Sequence, residues 1–105
     1  MVIVKKAHAT PKKIGQFVTI YKRINGYNEP FSVEDNLHAI IVEIEENSFK
    51  GKFIFDKATL IKYEIITNGE IIGKMAMRVY APWHKPSSNQ ALRTQKWQTK
   101  YFEYV

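Results

Sequence analysis

With no cysteine in its 105 residues, the chain offers no thiolate nucleophile, no disulfide and no Cys-ligated metal. Imidazole chemistry is little better supplied. The histidines are His8, His38 and His84, and none has a second His at i+2 to i+4, so there is no HExxH helix and no paired zinc motif. No GxSxG elbow is present for acyl transfer. No GxGxxG or GxxxxGK[ST] loop is present for a Rossmann or P-loop phosphate site. No cofactor and no metal is expected.

Two residue groups remain that could do chemistry. The first is acidic. A metal-dependent phosphodiesterase or nuclease needs clustered carboxylates for Mg²⁺ and usually a Lys near the attacking water. Asp35 precedes an apolar strand and Asp56-Lys57 ends the next, so a hairpin would bring these three towards one end of a sheet. The Glu-x-Lys step such sites place on a strand is missing, because Phe55 stands two residues before Lys57. Asp56 reads equally well as a helix cap, and Glu43 and Glu45 as a solvated strand face.

The second group is basic. Sixteen Lys and Arg against ten Asp and Glu give a net charge of +6, and the excess is uneven. Residues 1–25 carry Lys5, Lys6, Lys12, Lys13, Lys22 and Arg23 with no acid, residues 26–49 are acidic, and no Asp or Glu occurs between Glu70 and Glu103. Phosphate binding requires Arg and Lys on a rigid surface, with aromatic planes where bases are to stack. The candidates are Lys12, Lys13, Lys22 and Arg23 near the start, then Arg78, Tyr80, Trp83 and His84, then Arg93, Lys96, Trp97 and Lys100. Phosphates are expected against Lys13, Arg23, Arg78, Arg93, Lys96 and Lys100, with Tyr80 or Trp83 as a stacking face. The plainer reading makes the two Trp core anchors and the cations a soluble surface. The absence of acids to interleave with the late cations favours an anion-binding face, with nucleic acid or a nucleotide as ligand. A protein-interaction module is the third alternative.

These residues must be positioned by few elements. Val2 to Lys6 reads as a strand and Thr10-Pro11-Lys12-Lys13 as a turn. Residues 16–23 read as one strand, Phe17, Thr19 and Tyr21 on one face and Val18 and Ile20 on the other. Asn25-Gly26 ends it, and the stretch from Pro30 to Asp35 reads as a loop with one helical turn. His38 to Glu45 is the most apolar strand, turning through residues 47–51 into a strand at 52–55. Asp56 then caps a short helix reaching Ile61 to Tyr63. Asn68-Gly69 and Gly73 mark turns, and Lys74 to Tyr80 is a strand. Ser87 to Gln90 has the form of a capping box, opening a helix over about residues 89–102. On its wheel Arg93, Lys96 and Lys100 share an arc of about 60°. Ala91, Tyr101, Phe102 and Val105 lie opposite, towards the sheet. The sum is one α+β domain with an antiparallel or mixed sheet of about four to five strands and the C-terminal helix packed on one face.

Four segments carry a family resemblance: TPKKIGQFVTIYKR (10–23), GKFIFDKATLIKYEII (51–66), RVYAPW (78–83) and QALRTQKWQTKYF (90–102). Together they resemble the MepB-like proteins, bacterial proteins named for a staphylococcal protein encoded beside an efflux pump. Trp83 followed closely by a Gln-rich helix with Trp97-Gln98 is the most specific part. The resemblance implies a fold rather than a mechanism. Its members run longer at the N-terminus, so the chain is expected to be a shortened version. A missing first element would leave an open sheet edge, at which a homodimer is expected.

No apolar run approaches the roughly 20 residues of a membrane span. The start is too soon charged for a signal peptide. No membrane partner and a cytoplasmic location are expected. Without thiolates or grouped imidazoles, folding should not depend on Zn²⁺. Thermal unfolding in EDTA should therefore match that in buffer, and a large drop in midpoint would contradict the expectation.

Overall fold

The computed structural model describes residues 1–105 and has an α+β architecture. At its centre is the expected hairpin, β6 (Ala39–Glu46) and β7 (Phe49–Asp56). It turns more tightly than the sequence suggests, on Asn47-Ser48 alone, with Asn47 at φ 56°. Asn is among the few residues other than Gly that hold this conformation readily. β1 (Val2–Lys6) lies parallel to β6, and a short β9 (Phe102–Tyr104) lies antiparallel to β7, giving a mixed sheet of order β1-β6-β7-β9. Ile40, Val42, Ile44, Phe53 and Phe55 point to one side and are buried, while Glu43 and Glu45 face solvent. Each such apolar side chain stabilises the fold by about 1.5–3 kcal/mol. The outer edge of β1 has no strand beside it.

A second, antiparallel sheet packs against the first. It contains β2 (His8–Thr10), β3 (Lys13–Thr19) and β8 (Ala76–Val79), in that order. Gln16, Val18 and Val79 face the core, and Phe17 and Thr19 face outward. The single strand expected over 16–23 is in fact two. It breaks at Ile20, whose N–H makes the last bond in the β3–β8 register, to Met75 O at 2.9 Å. The chain then enters β4 (Tyr21–Ile24), which pairs with β5 (Tyr27–Pro30). Asn25-Gly26 is thus the turn of a hairpin, with φ of 50° and 82°, rather than the end of a strand. Ile20 stays buried through the break, so the inward-outward alternation continues and the sequence pattern conceals it.

Two helices complete the fold. α1 (Lys57–Lys62) is capped as expected, with the Asp56 carboxylate accepting from Thr59 N at 2.8 Å. α2 spans Asn89–Gln98 and corrects three expectations. Its N-cap is Ser88, not Ser87, and Ser88 Oγ accepts from Ala91 N at 3.1 Å. Gln90 therefore falls one place short of the capping-box position. The helix also ends earlier, through a 3-10 turn at Thr99–Tyr101, and Phe102 is in β9. The physical reason lies across the sheet at Gly51. A Cβ there would come within 2.1 Å of Phe102 Cζ, so the bare backbone makes room for the ring, which also meets Phe53 edge-on at 5.0 Å. Tyr101 and Phe102 pack inward as the wheel expected, but Val105 is exposed.

α2 is fastened to β8 by amides. Gln98 is fully buried; its Oε1 accepts from Tyr80 N at 2.8 Å and its Nε2 donates to Arg78 O at 3.1 Å. One turn earlier, Gln95 Nε2 donates to Ala81 O and His84 O at 2.9 and 2.8 Å. Gln98→Leu keeps the bulk but strands the Tyr80 N–H and the Arg78 carbonyl without partners, at about 1–3 kcal/mol for each buried group. A loss of about 2–4 kcal/mol in denaturant unfolding is expected on that basis. An unchanged unfolding midpoint would show that the amide does not hold the helix.

Candidate functional site

Outer-facing Ala76 and Arg78 of β8, with Tyr80 just after it, form the floor of a groove of about 530 Å³. One side of α2 and its N-cap form its wall, through Ser88, Gln90, Ala91, Thr94 and Trp97. Tyr63, Ile65 and Lys74 close one end, and Lys13 of β3 lies on the other side. Two further hollows of about 280 and 350 Å³ continue from it, and both share Lys13 and Arg78 with it and add Lys12. No Asp or Glu lines any of the three. None of Lys12, Lys13, Lys74 and Arg78 is in an ion pair.

The shape of this groove depends on Gly15. Its φ is +85°, and an added Cβ would lie 2.8 Å from both the Tyr80 ring and Val79 O. Only glycine allows both the turn and the close approach. Arg78 reaches back over the same kink, with Nη1 at 3.4 and 3.3 Å from the carbonyls of Ile14 and Gly15. Its remaining N–H groups are uncommitted. At the far end Trp97 stacks on Tyr63 with centroids 3.8 Å apart and planes 8° from parallel.

Of the residues picked from the sequence, Lys12, Lys13, Arg78, Tyr80 and Trp97 meet at the groove. The others lie elsewhere. Arg93, Lys96 and Lys100 are exposed on the side of α2 and its 3-10 turn turned away from Gln95 and Gln98, and none lines the groove. Arg23 sits on the β4–β5 hairpin, donating to Asn28 Oδ1 at 2.9 Å. Trp83 lies in a separate cluster, stacked on Phe49 at 5.1 Å and edge-on to Phe102. Lys74 and Ser88 were not picked, because only the tertiary fold carries them to the groove. Gly15, inside a β-patterned run, was a readable sign of a bulge or close backbone approach.

The acidic candidates are occupied. Asp35 accepts from the Lys22 ammonium and from Ser32 N. Burial works against its charge, but these two partners outweigh it and hold the carboxyl below its usual range. Asp56 is lowered by the Thr59 backbone and hydroxyl bonds of its cap. Lys57 follows as the first residue of α1. No three His, Asp or Glu side chains converge at metal-binding distance.

His84 is buried in a brace between the two sheets. Ala81 N donates to its Nδ1 at 2.8 Å, which fixes the ring proton on Nε2, 3.0 Å from Glu46 Oε1. Gln16 Nε2 donates to the same Glu46 oxygen at 3.1 Å and to Glu45 O at 2.9 Å. Trp83 Nε1, buried nearby, also favours the charged carboxylate without reaching full hydrogen-bond geometry.

An α+β domain with a second sheet, a Gln-fastened C-terminal helix and a carboxylate-free groove is the class of protein defined so far. Residues 1–104 match the MepB-like family, and the chain belongs to it. It is similar to the crystal structure of MepB, with 36% identity, a TM-score of 0.92, and an alignment covering 97% of this chain and 69% of that one. No curated protein matches it. No helix is long and apolar enough to cross a membrane.

The brace makes stability pH-dependent. The His84 bond first, then that of Gln16, hold the Glu46 carboxyl below its ordinary value of 4.5 in spite of partial burial. A lowered folded value means that this contribution is full above the unfolded value and is lost as pH falls through the folded one. Glu46→Gln should flatten the acid limb of unfolding midpoint against pH. A variant curve parallel to wild type between the unfolded and the folded values would show that Glu46 is not the titrating group.

Proposed function

We propose that the chain binds a phosphate-bearing ligand, a nucleic acid or a nucleotide, in the groove between β8 and α2. The observation that carries this reading is the groove's lining: Lys12, Lys13, Lys74 and Arg78 converge on connected hollows with no carboxylate among them. Unpaired cations, two of them (Lys13 and Arg78) on strands, attract an anion and hold it with little prior rearrangement. Ser88 and the N-terminus of α2 add donors on the same side. The alternative, a metal-dependent phosphodiesterase at Asp35, Asp56 and Lys57, has less support, since both carboxylates already serve local bonds.

Binding of labelled DNA and RNA oligonucleotides is measured by anisotropy at several salt concentrations. Wild type should bind at low salt. Lys13→Gln with Arg78→Gln should weaken binding by about tenfold or more per cation lost. The slope of log affinity against log salt should fall by about 0.7–0.9 for each phosphate contact removed. Arg93→Gln, Lys96→Gln, Lys100→Gln is the comparison, since those cations stand outside the groove. A groove variant that binds like wild type, or a helix variant that loses more, moves the site away from the groove.

A further inference from the structure

We propose that the outer face of the β2–β3–β8 sheet is a base-stacking platform for single-stranded nucleic acid, with Phe17 as its ring. This rests on the phosphate reading of the neighbouring groove and names the class of nucleic acid that fits it. Phe17 is on the central strand of that sheet and 41% exposed. In register, His8 lies opposite it on one side and Arg78 on the other. Directly opposed residues share a face, with Cβ atoms about 4.5–5.5 Å apart. The row His8–Phe17–Arg78 therefore runs across the sheet and ends in the groove, whose floor includes Arg78.

A lone exposed aromatic residue needs no functional explanation in general. Three features set this one apart. The next row on the same face is Thr19 opposite Ala76, two short side chains that leave the area beside the ring low and open. The other rings near the groove are already engaged: Tyr80 lies against Gly15 and Trp97 is stacked on Tyr63. Phe17 makes no ring–ring contact in the fold and keeps 41% of its surface exposed for a planar partner. A base stacked on it would have Arg78 one strand away on β8, and Lys13 and Lys12 at and just before the start of β3, to meet its backbone. Adjacent strands are about 4.8 Å apart.

Single-stranded nucleic acid is the occupant this arrangement selects. Duplex bases are stacked on each other and do not offer a face to a ring on a sheet, whereas unpaired bases do. Little base preference is expected, because every base has a π-face and no side chain in the row is arranged to read base edges.

The test compares an oligothymidylate with an abasic oligomer of the same length, which keeps the phosphates and removes the bases. Wild type should bind the oligothymidylate more tightly. Phe17→Ala should lower that affinity by about 5- to 100-fold towards the abasic value, with the salt slope unchanged. Phe17→Trp should retain it, with a change in tryptophan emission on binding. Equal wild-type affinity for the two oligomers, or oligothymidylate binding by Phe17→Ala equal to wild type, overturns the platform while leaving the groove reading intact. Failure of wild type to bind either oligomer at low salt overturns both the platform and the nucleic-acid reading of the groove.

Discussion

A strand has two edges, and β8 gives one of them to β3. Its other edge faces α2, which has no backbone groups to spare for it, and an unpaired N–H and C=O buried under a helix would be costly. The side-chain amide of Gln98 resolves this by offering one acceptor and one donor, which meet Tyr80 N and Arg78 O as a neighbouring strand would. The match is specific, since a side-chain amide is the neutral group that presents both functions at this spacing. It fixes the rotation and the height of α2 over β8. Gln95 then fixes the loop that leaves the strand, through Ala81 O and His84 O. The width of the groove follows from these two residues, because its floor is β8 and its wall is α2.

The same loop carries His84 into the brace with Glu46 and Gln16, which joins the end of β6 to β3. That polar network sits between two apolar layers and accounts for one acid that the sequence leaves unplaced. Four other acids are partnered in a similar way. Asp35 is held by Lys22, Asp56 caps α1, Glu45 and Glu103 pair with Lys50 and Lys52 on the open face of the first sheet. The chain's net charge of +6 is thereby sorted in space as well as in sequence. No carboxylate lines the groove, and the cations at the groove are left without ion-pair partners. Such sorting gives a local potential much stronger than the overall charge implies.

The parts of this fold that were legible in the sequence are those decided locally. The alternation of Ile40, Val42 and Ile44 against Glu43 and Glu45 marks a half-buried strand, and Asp56 marks a helix start by its own side-chain chemistry. What was not legible is decided by distant partners. Nothing near Ile20 signals that the chain changes sheets there, because the residue remains inward-facing in either case. Nothing near Phe102 signals a strand, because the space for its ring is made by Gly51, half the chain away. The helix wheel correctly grouped Arg93, Lys96 and Lys100, yet a wheel shows only which residues lie together and not what they face. They prove to face away from the groove, while Lys74 and Ser88, unremarkable in sequence, stand at it. Lys13 and Arg78 were chosen for their type and meet for a topological reason, the pairing of β3 with β8.

The chemistry open to the groove follows from what lines it. Hydrolysis of a phosphodiester needs a group to take a proton from water and another to meet the leaving oxygen. The polar lining consists of Lys, Arg, Ser, Thr, Gln and Tyr side chains, and neither a carboxylate nor an imidazole is among them. These are groups that donate to an anion and neutralise it. Their rigidity comes from Gly15, which lets Tyr80 close on β3, and from the Gln98 amide, which holds the opposite wall. A surface so arranged has its geometry settled at folding, as the proposed phosphate ligand would require. The floor of the groove is in register with the outer face of β3 through the Phe17–Arg78 pair, which is what ties the proposed phosphate groove to the proposed stacking face.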